Sequence, residues 1–399
     1  MPVAGSPTRS ACSRTKLACL YEAYPKPIAA VPPMPRPHRL LVVMPSWVGD
    51  AVMATPSLRL LRTMLPGAFI GALVRPGLDE LLAGLETIDE LHVERSVGVM
   101  GPKRVAGAVR PRRYDAALLL TNSFSSALIA RLAGVPTRIG YDRDGRGFLL
   151  TGRLTPVKRR DLEPFSRSPS DPGGWAPVPA CVYYWHAASA LLAAAGCDPA
   201  PASRMGPMEL AVTPDQLKQT ESLMARAGLA AGERFVVLNP GGNDAAKRWP
   251  IERFGALAAH LFKRHALRPV VNGSPGEREL AAAVASCCPP ESRCVSLPEA
   301  GVTLASLKGL VGAARLMVTN DTGPRHIAAA TGVPVVSLFG PTDHRWTIIP
   351  ARGDSERVLV ADPSLPEEEV ANDHPERCAV ARITVESVVA ACDSLLVKG

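Results

Sequence analysis

Short apolar runs alternate with longer helical patterns along most of this chain, and this alternation constrains the fold more than any other feature. A strand that pairs in parallel with the next one needs a long crossover, which is usually a helix. The pattern therefore predicts doubly wound α/β architecture with parallel sheets. The predicted strands are 39–44, 69–74, 91–94, 116–120 and 138–141, followed by 235–239, 269–272, 294–297, 316–319 and 335–339.

The alternation restarts in the second half, after a linker near residues 196–214. A chain of 399 residues is too long for one compact core, so two domains are expected, at 39–205 and 206–399. We allow for the last helix packing back on the first domain. Residues 1–38 hold six prolines between Pro25 and Pro37 and are predicted to form a flexible tail, and residues 157–179 a surface excursion.

Positive charge is concentrated in the first half. The whole chain carries a net +8, yet residues 95–160 hold fourteen basic side chains against Asp115, Asp142 and Asp144, a local +11. This segment is expected to attract an anionic membrane or a phosphorylated substrate, or else to be a solvated arginine-rich surface. Nucleic acid is disfavoured because no recognition motif is present.

The cysteines and the hydropathy pattern indicate a cytoplasmic protein. Nine cysteines occur without a C-x-x-C pair or metal-ligand spacing, which is typical of a reducing compartment. No apolar run reaches the roughly 20 residues that span a bilayer. Residues 1–37 also lack the apolar segment of a secretory signal.

The first predicted strand is followed by Pro-Ser-Trp-Val-Gly-Asp at residues 45–50. A turn at the carboxyl end of a parallel strand projects its side chains into the ligand cleft. Gly49 permits close backbone approach, and Asp50 opens a helix. Asp50 is therefore either a helix cap or a general base that accepts the proton of an attacking hydroxyl.

Two loops of the second half follow strands and carry glycine with charged side chains. At residues 239–250, Gly241 and Gly242 leave backbone amides free to face phosphate, and Lys247 adds positive charge. The spacing matches neither a P-loop nor G-x-G-x-x-G, so an ordinary turn is the alternative. At residues 272–277, Glu277 is placed to accept hydrogen bonds from a ribose diol, or simply belongs to a turn.

A third loop, residues 319–326, combines the features of an anion-binding helix start. Thr322 or Gly323 fits the N-cap and Pro324 the first helical turn, so the helix dipole and free amides favour a pyrophosphate. Asp321 precedes the cap and is placed to accept hydrogen bonds from sugar hydroxyls. His326 lies one turn further on, where a histidine is more often a satisfied helix residue.

The only D-x-D string, Asp142-Arg143-Asp144, is the kind of pair that holds a divalent metal in other transferases. Here basic residues flank it. We therefore expect no metal and no cofactor.

Several strings occur together in the order typical of one enzyme family, at residues 45–50, 113–115, 122–124, 247–250, 321–326 and 339–342. On these strings, over about residues 39–396, the chain resembles glycosyltransferase family 9, the bacterial heptosyltransferases. The resemblance implies the GT-B fold, in which two Rossmann-like domains face each other across a cleft. It also implies transfer of heptose from ADP-heptose to the inner core of lipopolysaccharide, with inversion and without metal.

The same resemblance assigns roles to individual residues. Asp50 matches the catalytic base, Lys247 the diphosphate contact and Asp321 a residue near the donor sugar. The expected donor-binding set is Gly241, Gly242, Lys247, Glu277, Asp321, Thr322, Gly323 and His326, and the expected acceptor-binding set is Ser46, Trp47, Asn122 and Ser123. The implied partners are ADP-heptose, a lipid-linked acceptor and the anionic inner face of the inner membrane, with no nucleic acid.

One departure and two alternatives accompany this interpretation. Pro324-Arg325 replaces the more usual apolar pair before His326, and Arg325 is a candidate for altering donor preference. The alternatives are a GT-B transferase for a different nucleotide sugar and a non-catalytic protein that binds sugar nucleotides. Retention of Asp50 argues against the second, because binding alone would not need a base on the acceptor side.

Overall fold

The computed structural model describes residues 26–95, 98–162, 174–198 and 205–397. Its first half forms seven strands and six helices within the described residues. In chain order these are β1 (Ile28–Ala30), β2 (Arg39–Val43), α1 (Val48–Met53), α2 (Thr55–Met64), β3 (Phe69–Val74), α3 (Leu78–Leu82), β4 (Glu90–Val93), α4 (Gly101–Val109), β5 (Ala116–Leu119), α5 (Phe124–Leu132), β6 (Thr137–Tyr141), β7 (Gly152–Thr155) and α6 (Ala180–Ala194).

The first sheet has the order β1-β7-β6-β5-β2-β3-β4 and is parallel except at β1. Its central strand β2 is buried from Leu40 to Val43, as expected for a parallel strand covered by helices on both faces. Val42 pairs with Leu118 of β5 on one side and with Ala72 of β3 on the other. The continuous apolar run in the sequence therefore becomes the middle of the first domain.

Strand β1 lies inside the segment predicted to be a flexible tail. Ile28 pairs with Thr155 of β7 in the antiparallel direction, and the Met34 amide donates to the Ala194 carbonyl at 2.8 Å. The folded first domain thus includes residues before Arg39, contrary to the predicted boundary. Residues 1–25 of the predicted tail lie outside the described residues, as do residues 163–173 of the predicted excursion.

The second half forms a second parallel sheet with the order β10-β9-β8-β11-β12-β13. Its elements are α7 (Pro214–Arg226), β8 (Phe235–Asn239), α8 (Ile251–His265), β9 (Arg268–Val271), α9 (Arg278–Ser286), β10 (Val295–Ser296), α10 (Leu304–Ala313), β11 (Leu316–Asn320), α11 (Gly323–Thr331), β12 (Val335–Phe339), β13 (Glu356–Val360) and α12 (Val385–Leu396).

The last helix, α12, belongs to the second domain. It packs on α8, β12 and β13, and its Val388 and Cys392 are fully buried in the same apolar cluster as Phe254 and Leu257 of α8. The described part of the helix therefore covers its own sheet. The sequence had left open that this helix packs back on the first domain, but its described part packs on the second domain instead.

Two helix pairs join the domains, α1 with α11 and α3 with α10. Glycine permits the first contact. A Cβ on Gly49 would lie 2.5 Å from Cδ2 of His326, and a Cβ on Gly323 would lie 2.8 Å from Cβ of Val48. Since real Cβ atoms do not approach so closely, both glycines let the helices touch.

A buried lysine makes the second contact. Lys308 of α10 is fully buried, and its Nζ donates to the carbonyls of Glu80, Leu81 and Ala83 at 3.2, 3.0 and 3.1 Å. These carbonyls lie at the C-terminal end of α3, where the helix dipole is negative. Burial lowers the pKa of Lys308 to about 8. The ammonium group thus fixes the first domain against the second.

Within the described residues, no helix combines the length and apolar composition needed to cross a bilayer.

Candidate active site

A cavity of about 550 Å³ lies between the domains, at the carboxyl edges of both sheets. The first domain lines it with Trp47, Val48 and Gly49, which follow β2. The second domain lines it with the loops after β8, β9 and β11 and with the start of α10, through Asn239, Gly241, Asn272, Gly273, Ser274, Pro275, Glu277, Val302, Thr303, Leu304, Leu307, Thr322, Gly323 and Pro324. The cavity therefore brings together residues of the loop at 45–50 and of the three second-domain loops at 239–250, 272–277 and 319–326. This is expected where the carboxyl ends of two parallel sheets share a cleft.

Asp50 lies in the first turn of α1 and accepts a hydrogen bond from the Tyr184 hydroxyl at 2.8 Å. Burial raises the pKa of Asp50 above its ordinary value, the Tyr184 hydrogen bond opposes this rise, and the nearby charge of Asp321 adds to it. Asp50 and Asp321 do not line the cavity themselves, but the interaction of their charges places the two carboxylates near each other across the domain boundary. A carboxylate with a raised pKa in such a position is suited to accept a proton near neutral pH.

Tyr184 was not singled out as a site residue from the sequence. It is buried on α6 beside Tyr183, whose hydroxyl donates to Oδ1 of Asn122 at 3.2 Å. The Tyr183 ring stacks on Tyr141 with centroids 3.6 Å apart. One helix therefore supports both the Asp50 loop and the Asn122 loop from behind.

Buried amides connect the loops of the second domain. Asn239 Nδ2 donates to the Thr322 hydroxyl at 2.8 Å and to the Thr319 hydroxyl at 3.0 Å. Asn272 Nδ2 donates to Oδ1 of Asn239 at 2.7 Å, and Asn320 Nδ2 donates to the Pro240 carbonyl at 2.8 Å. The strand ends that carry these loops are thereby held in one arrangement, through side chains that sequence reasoning did not select.

Glu277 lines the cavity and ties two of these loops together. Its Oε1 accepts from the Gly242 amide at 3.1 Å, and its Oε2 accepts from both the amide and the hydroxyl of Ser274 at 2.8 Å. A Cβ on Gly241 would lie 2.4 Å from Oε1, so the loop needs glycine there. A carboxylate has about four acceptor sites, and three are used here, so Oε1 keeps one for a ligand.

Lys247 ends a short 3-10 turn, Ala245–Lys247, and is partly exposed. Within the described residues its ammonium group forms no ion pair. Burial raises the pKa of Asp321 above its ordinary value, and the charges of Arg325 and, more weakly, of Lys247 oppose this rise. Lys247 therefore stands near Asp321, although it does not line the cavity itself.

Arg325 lies beneath Asp321 rather than in the cavity. It is 1% exposed, and its Nη2 lies 2.7 Å from Oε1 of Glu356. Nη1 donates to the Thr347 carbonyl at 2.8 Å and lies 3.8 Å from Oδ1 of Asp321. Any influence of Arg325 on the donor therefore passes through Asp321 and the Thr347 loop.

The structure does not bring His326 to the cavity. Its ring is buried against Gly49 in the contact between α1 and α11, and Nδ1 has no hydrogen-bond partner among the described residues. Burial holds the pKa of His326 well below its usual range, so the ring is neutral. Its predicted contact with the donor remains a prediction.

The expected acceptor residues divide into two groups. Trp47 is 74% exposed at the cavity, with exposed Ser46 beside it. Asn122 and Ser123 lie on the neighbouring loop, where Ser123 caps α5 by accepting from the Ser126 amide at 3.3 Å. These two do not line the cavity but stand on the same edge of the first sheet.

Part of the basic segment is internal. Arg138, Arg146 and Arg159 are buried, and Arg146 donates to the Tyr141 carbonyl at 3.0 Å beneath the Ser123 loop. Burial lowers the pKa of Arg146 to about 10. The exposed members are Arg95, Lys103, Arg104, Arg110, Arg112, Arg113, Arg131, Arg153 and Arg160. The surface charge is therefore smaller than the sequence count.

Asp142 and Asp144 belong to no cluster of three metal-ligand side chains within the described residues. Asp142 lies 3.9 Å from Arg153, and Asp144 adopts a left-handed backbone conformation with φ of 54°.

Comparison with known proteins identifies the family. The profile of glycosyltransferase family 9 (heptosyltransferase) matches residues 103–162 and 200–375. The chain belongs to glycosyltransferase family 9. It is 29% identical over 327 residues to lipopolysaccharide heptosyltransferase 2 of Escherichia coli (strain K12), covering 80% of this chain and 87% of that protein. It is 28% identical over 331 residues to lipooligosaccharide heptosyltransferase 2 of Haemophilus influenzae, covering 80% and 88%.

Solved structures agree with this assignment. ADP-heptose lps heptosyltransferase II of E. coli superposes with a TM-score of 0.70 at 25% identity, covering 90% of this chain and 99% of that one. A family 9 glycosyltransferase from Veillonella parvula DSM 2008 shares the fold with a TM-score of 0.72 at 22% identity, covering 91% and 98%. The predicted GT-B fold and the predicted family are confirmed, and the chain is a glycosyltransferase.

Proposed function

We propose that this glycosyltransferase moves heptose from ADP-heptose to the inner core of lipopolysaccharide, as a heptosyltransferase II-like enzyme. The observation that carries the proposal is the position of Asp50, which directly follows the cavity-lining residues Trp47, Val48 and Gly49 and lies close enough to Asp321 of the second domain for their charges to interact. The names of the relatives support the donor and the acceptor. A binding protein would have no use for a carboxylate with a raised pKa on the acceptor side.

In the proposed reaction, Asp50 removes the proton of an acceptor hydroxyl as its oxygen bonds to the anomeric carbon of the donor. The bond from that carbon to the diphosphate oxygen breaks on the opposite face, so the configuration inverts and ADP leaves. Tyr184 occupies Oδ1 of Asp50, which leaves Oδ2 for the substrate. No metal takes part in this scheme.

The second domain would stabilise the charge that develops on the leaving diphosphate. Thr322 forms no side-chain cap at the start of α11, so the Gly323 amide and the helix dipole are available to an anion, whereas Pro324 has no N–H and the Arg325 amide donates to the Thr322 carbonyl. Lys247 adds a nearby positive charge, and Gly241 and Gly242 let the backbone approach. Asp321 and Glu277 would accept hydrogen bonds from the sugar and the ribose.

The first domain would hold the lipid-linked acceptor at the cytoplasmic face of the inner membrane. Met100 is 52% exposed beside exposed Lys103 and Arg104, and the exposed rings of Phe124 and Phe148 lie 6.0 Å apart. Exposed basic residues attract anionic lipid headgroups, while apolar side chains can enter the interface. Cosedimentation with anionic vesicles should fall for K103E/R104E and stay unchanged for a distant exposed lysine variant, K218E.

The function is tested by incubating the purified protein with ADP-heptose and an acceptor truncated before the second heptose, read by mass spectrometry. We expect a mass gain of one heptose. Transfer from another nucleotide sugar but not from ADP-heptose would overturn the donor, and ADP-heptose binding without transfer to any core acceptor would favour a non-catalytic role. D50N is the matched inactive control.

A further inference from the structure

Two histidines and an aspartate meet on the second domain, away from the cleft. His260 and His265 of α8 both point Nε2 at Oδ1 of Asp393 on α12, at 2.9 and 2.7 Å. Their side chains are 29%, 15% and 36% exposed, so the cluster is half-buried but open to solvent. No residue of this cluster contributes to the proposed transfer reaction.

The cluster lies at the edge of the sheet opposite the cavity. Helix α8 begins at Ile251 beside the donor loops, at the carboxyl edge, and runs back along the sheet. His265 ends the helix, three residues before β9 starts at Arg268. Fifteen helical residues cover about 20 Å, which separates His265 from the cavity.

The arrangement of donor atoms resembles a metal-binding site. One nitrogen of each ring and one carboxylate oxygen lie within 4.8 Å of one another, and the described residues contain no other such group of three. Two imidazoles directed at a single carboxylate oxygen converge on one point, which a simple His–Asp hydrogen bond does not require. The ring centroids lie 6.0 Å apart and the ring planes are inclined by 61°, so the two imidazoles do not stack.

We propose that His260, His265 and Asp393 bind one divalent first-row transition-metal ion, with Zn²⁺ as the expected occupant. Two imidazole nitrogens and one carboxylate oxygen suit Zn²⁺, whereas Mg²⁺ and Ca²⁺ favour ligand sets made of oxygen. A water molecule completes the coordination at the open side. The ion links the last turns of α8 and α12, and its role is to stabilise the second domain.

The test uses full-length protein without a histidine tag, stripped with a chelator and titrated with Zn²⁺ by calorimetry. We expect one ion per chain, a higher Tm with Zn²⁺ than without, and no change in transfer activity at the distant cavity. H265Q and D393N should each weaken Zn²⁺ binding at least tenfold. Gln at position 265 keeps a donor for Asp393, so H265Q separates metal binding from a hydrogen-bonded clamp.

The matched control is H38Q, which replaces an exposed histidine of the first domain and should bind Zn²⁺ like the wild type. Titration with Co²⁺ identifies the ligands, because cysteine coordination adds thiolate charge-transfer absorption. Absence of saturable binding, equal binding by H265Q and wild type, or a thiolate spectrum that disappears in C288S/C294S would each overturn the proposal.

Discussion

The loops of the second domain are tied to one another, whereas the loops of the first domain are supported from behind by one helix. Asn239, Asn272 and Asn320 connect neighbouring donor loops through buried amides. On the acceptor side, Tyr184 and Tyr183 of α6 reach forward to Asp50 and Asn122, while Trp47 remains exposed. The difference suits a rigid pocket for a nucleotide diphosphate facing an open surface for a large acceptor.

The largest effect should come from removing the base on the acceptor side. D50N keeps the size of the side chain but not its ability to take a proton, so kcat should fall about a hundredfold or more. ADP affinity, measured by calorimetry, should stay near that of the wild type because the donor loops are untouched. Unchanged turnover would refute the assigned base.

On the donor side, we expect a substitution to weaken ADP binding. K247A removes a positive charge near the proposed diphosphate, and a hydrogen bond to a charged group is worth about 1.5–3 kcal/mol, so ADP should bind at least tenfold more weakly. Calorimetry of ADP binding measures this loss. K263A, which replaces an exposed lysine on α8, is the control. Equal ADP affinity for K247A and K263A would refute the proposed contact between Lys247 and the diphosphate.

A third variant tests the support behind the acceptor loops. Y184F deletes the hydroxyl that donates to Asp50, and kcat should fall about tenfold, the scale of one such hydrogen bond. Because this bond lowers the pKa of Asp50, its loss should raise that pKa and move the acidic limb of the kcat/KM profile to higher pH. Y183F, which spares Asp50, should leave this limb in place. If kcat/KM fell by the same factor at all pH values, the contribution of Tyr184 would be packing alone.

The smallest effect concerns pH. Burial lowers the pKa of His186, on the same helix α6, to about 4. As pH falls below about 6.5, the unfolded chain takes up a proton that the folded chain does not, so stability decreases. Between pH 6.5 and 5.5 this amounts to about 1 kcal/mol. Urea unfolding of the wild type and H186Q should differ by that amount in their pH dependence, with H38Q following the wild type.

The continuous apolar strands were predictable, whereas three partly or fully exposed strands were not. Strands β8 and β12 are buried at every position, so their sequences leave little choice of structure. In β7, Arg153 and Thr155 are exposed, and the run is short and half polar. Strands β1 and β13 were not expected because an edge strand is covered on fewer sides and needs fewer apolar residues, although the edge strands β4 and β10 were expected. Strand β7 is paired on both sides, and its half-polar sequence hid it.

The site shows the same division. The loops were predictable because the carboxyl ends of parallel strands converge, whichever residues fill the helices. Tyr184 was not, because α6 is buried over most of its surface and its sequence lacks the one-sided pattern that would tell which face meets Asp50. Lys308 was missed for a different reason, since a lone lysine in a helix ordinarily faces water.

Lys308 holds the end of α3 next to β3 and β4, at one extreme of the first sheet, whereas β7 and β1 lie at the other. Near the other extreme, Arg159 lies four residues after β7, is buried, and donates to Oδ2 of Asp373 in the second domain at 2.9 Å. The first domain is therefore held at both ends of its sheet as well as by the contact between α1 and α11. A rotation that widened the cavity would have to break at least one of these contacts.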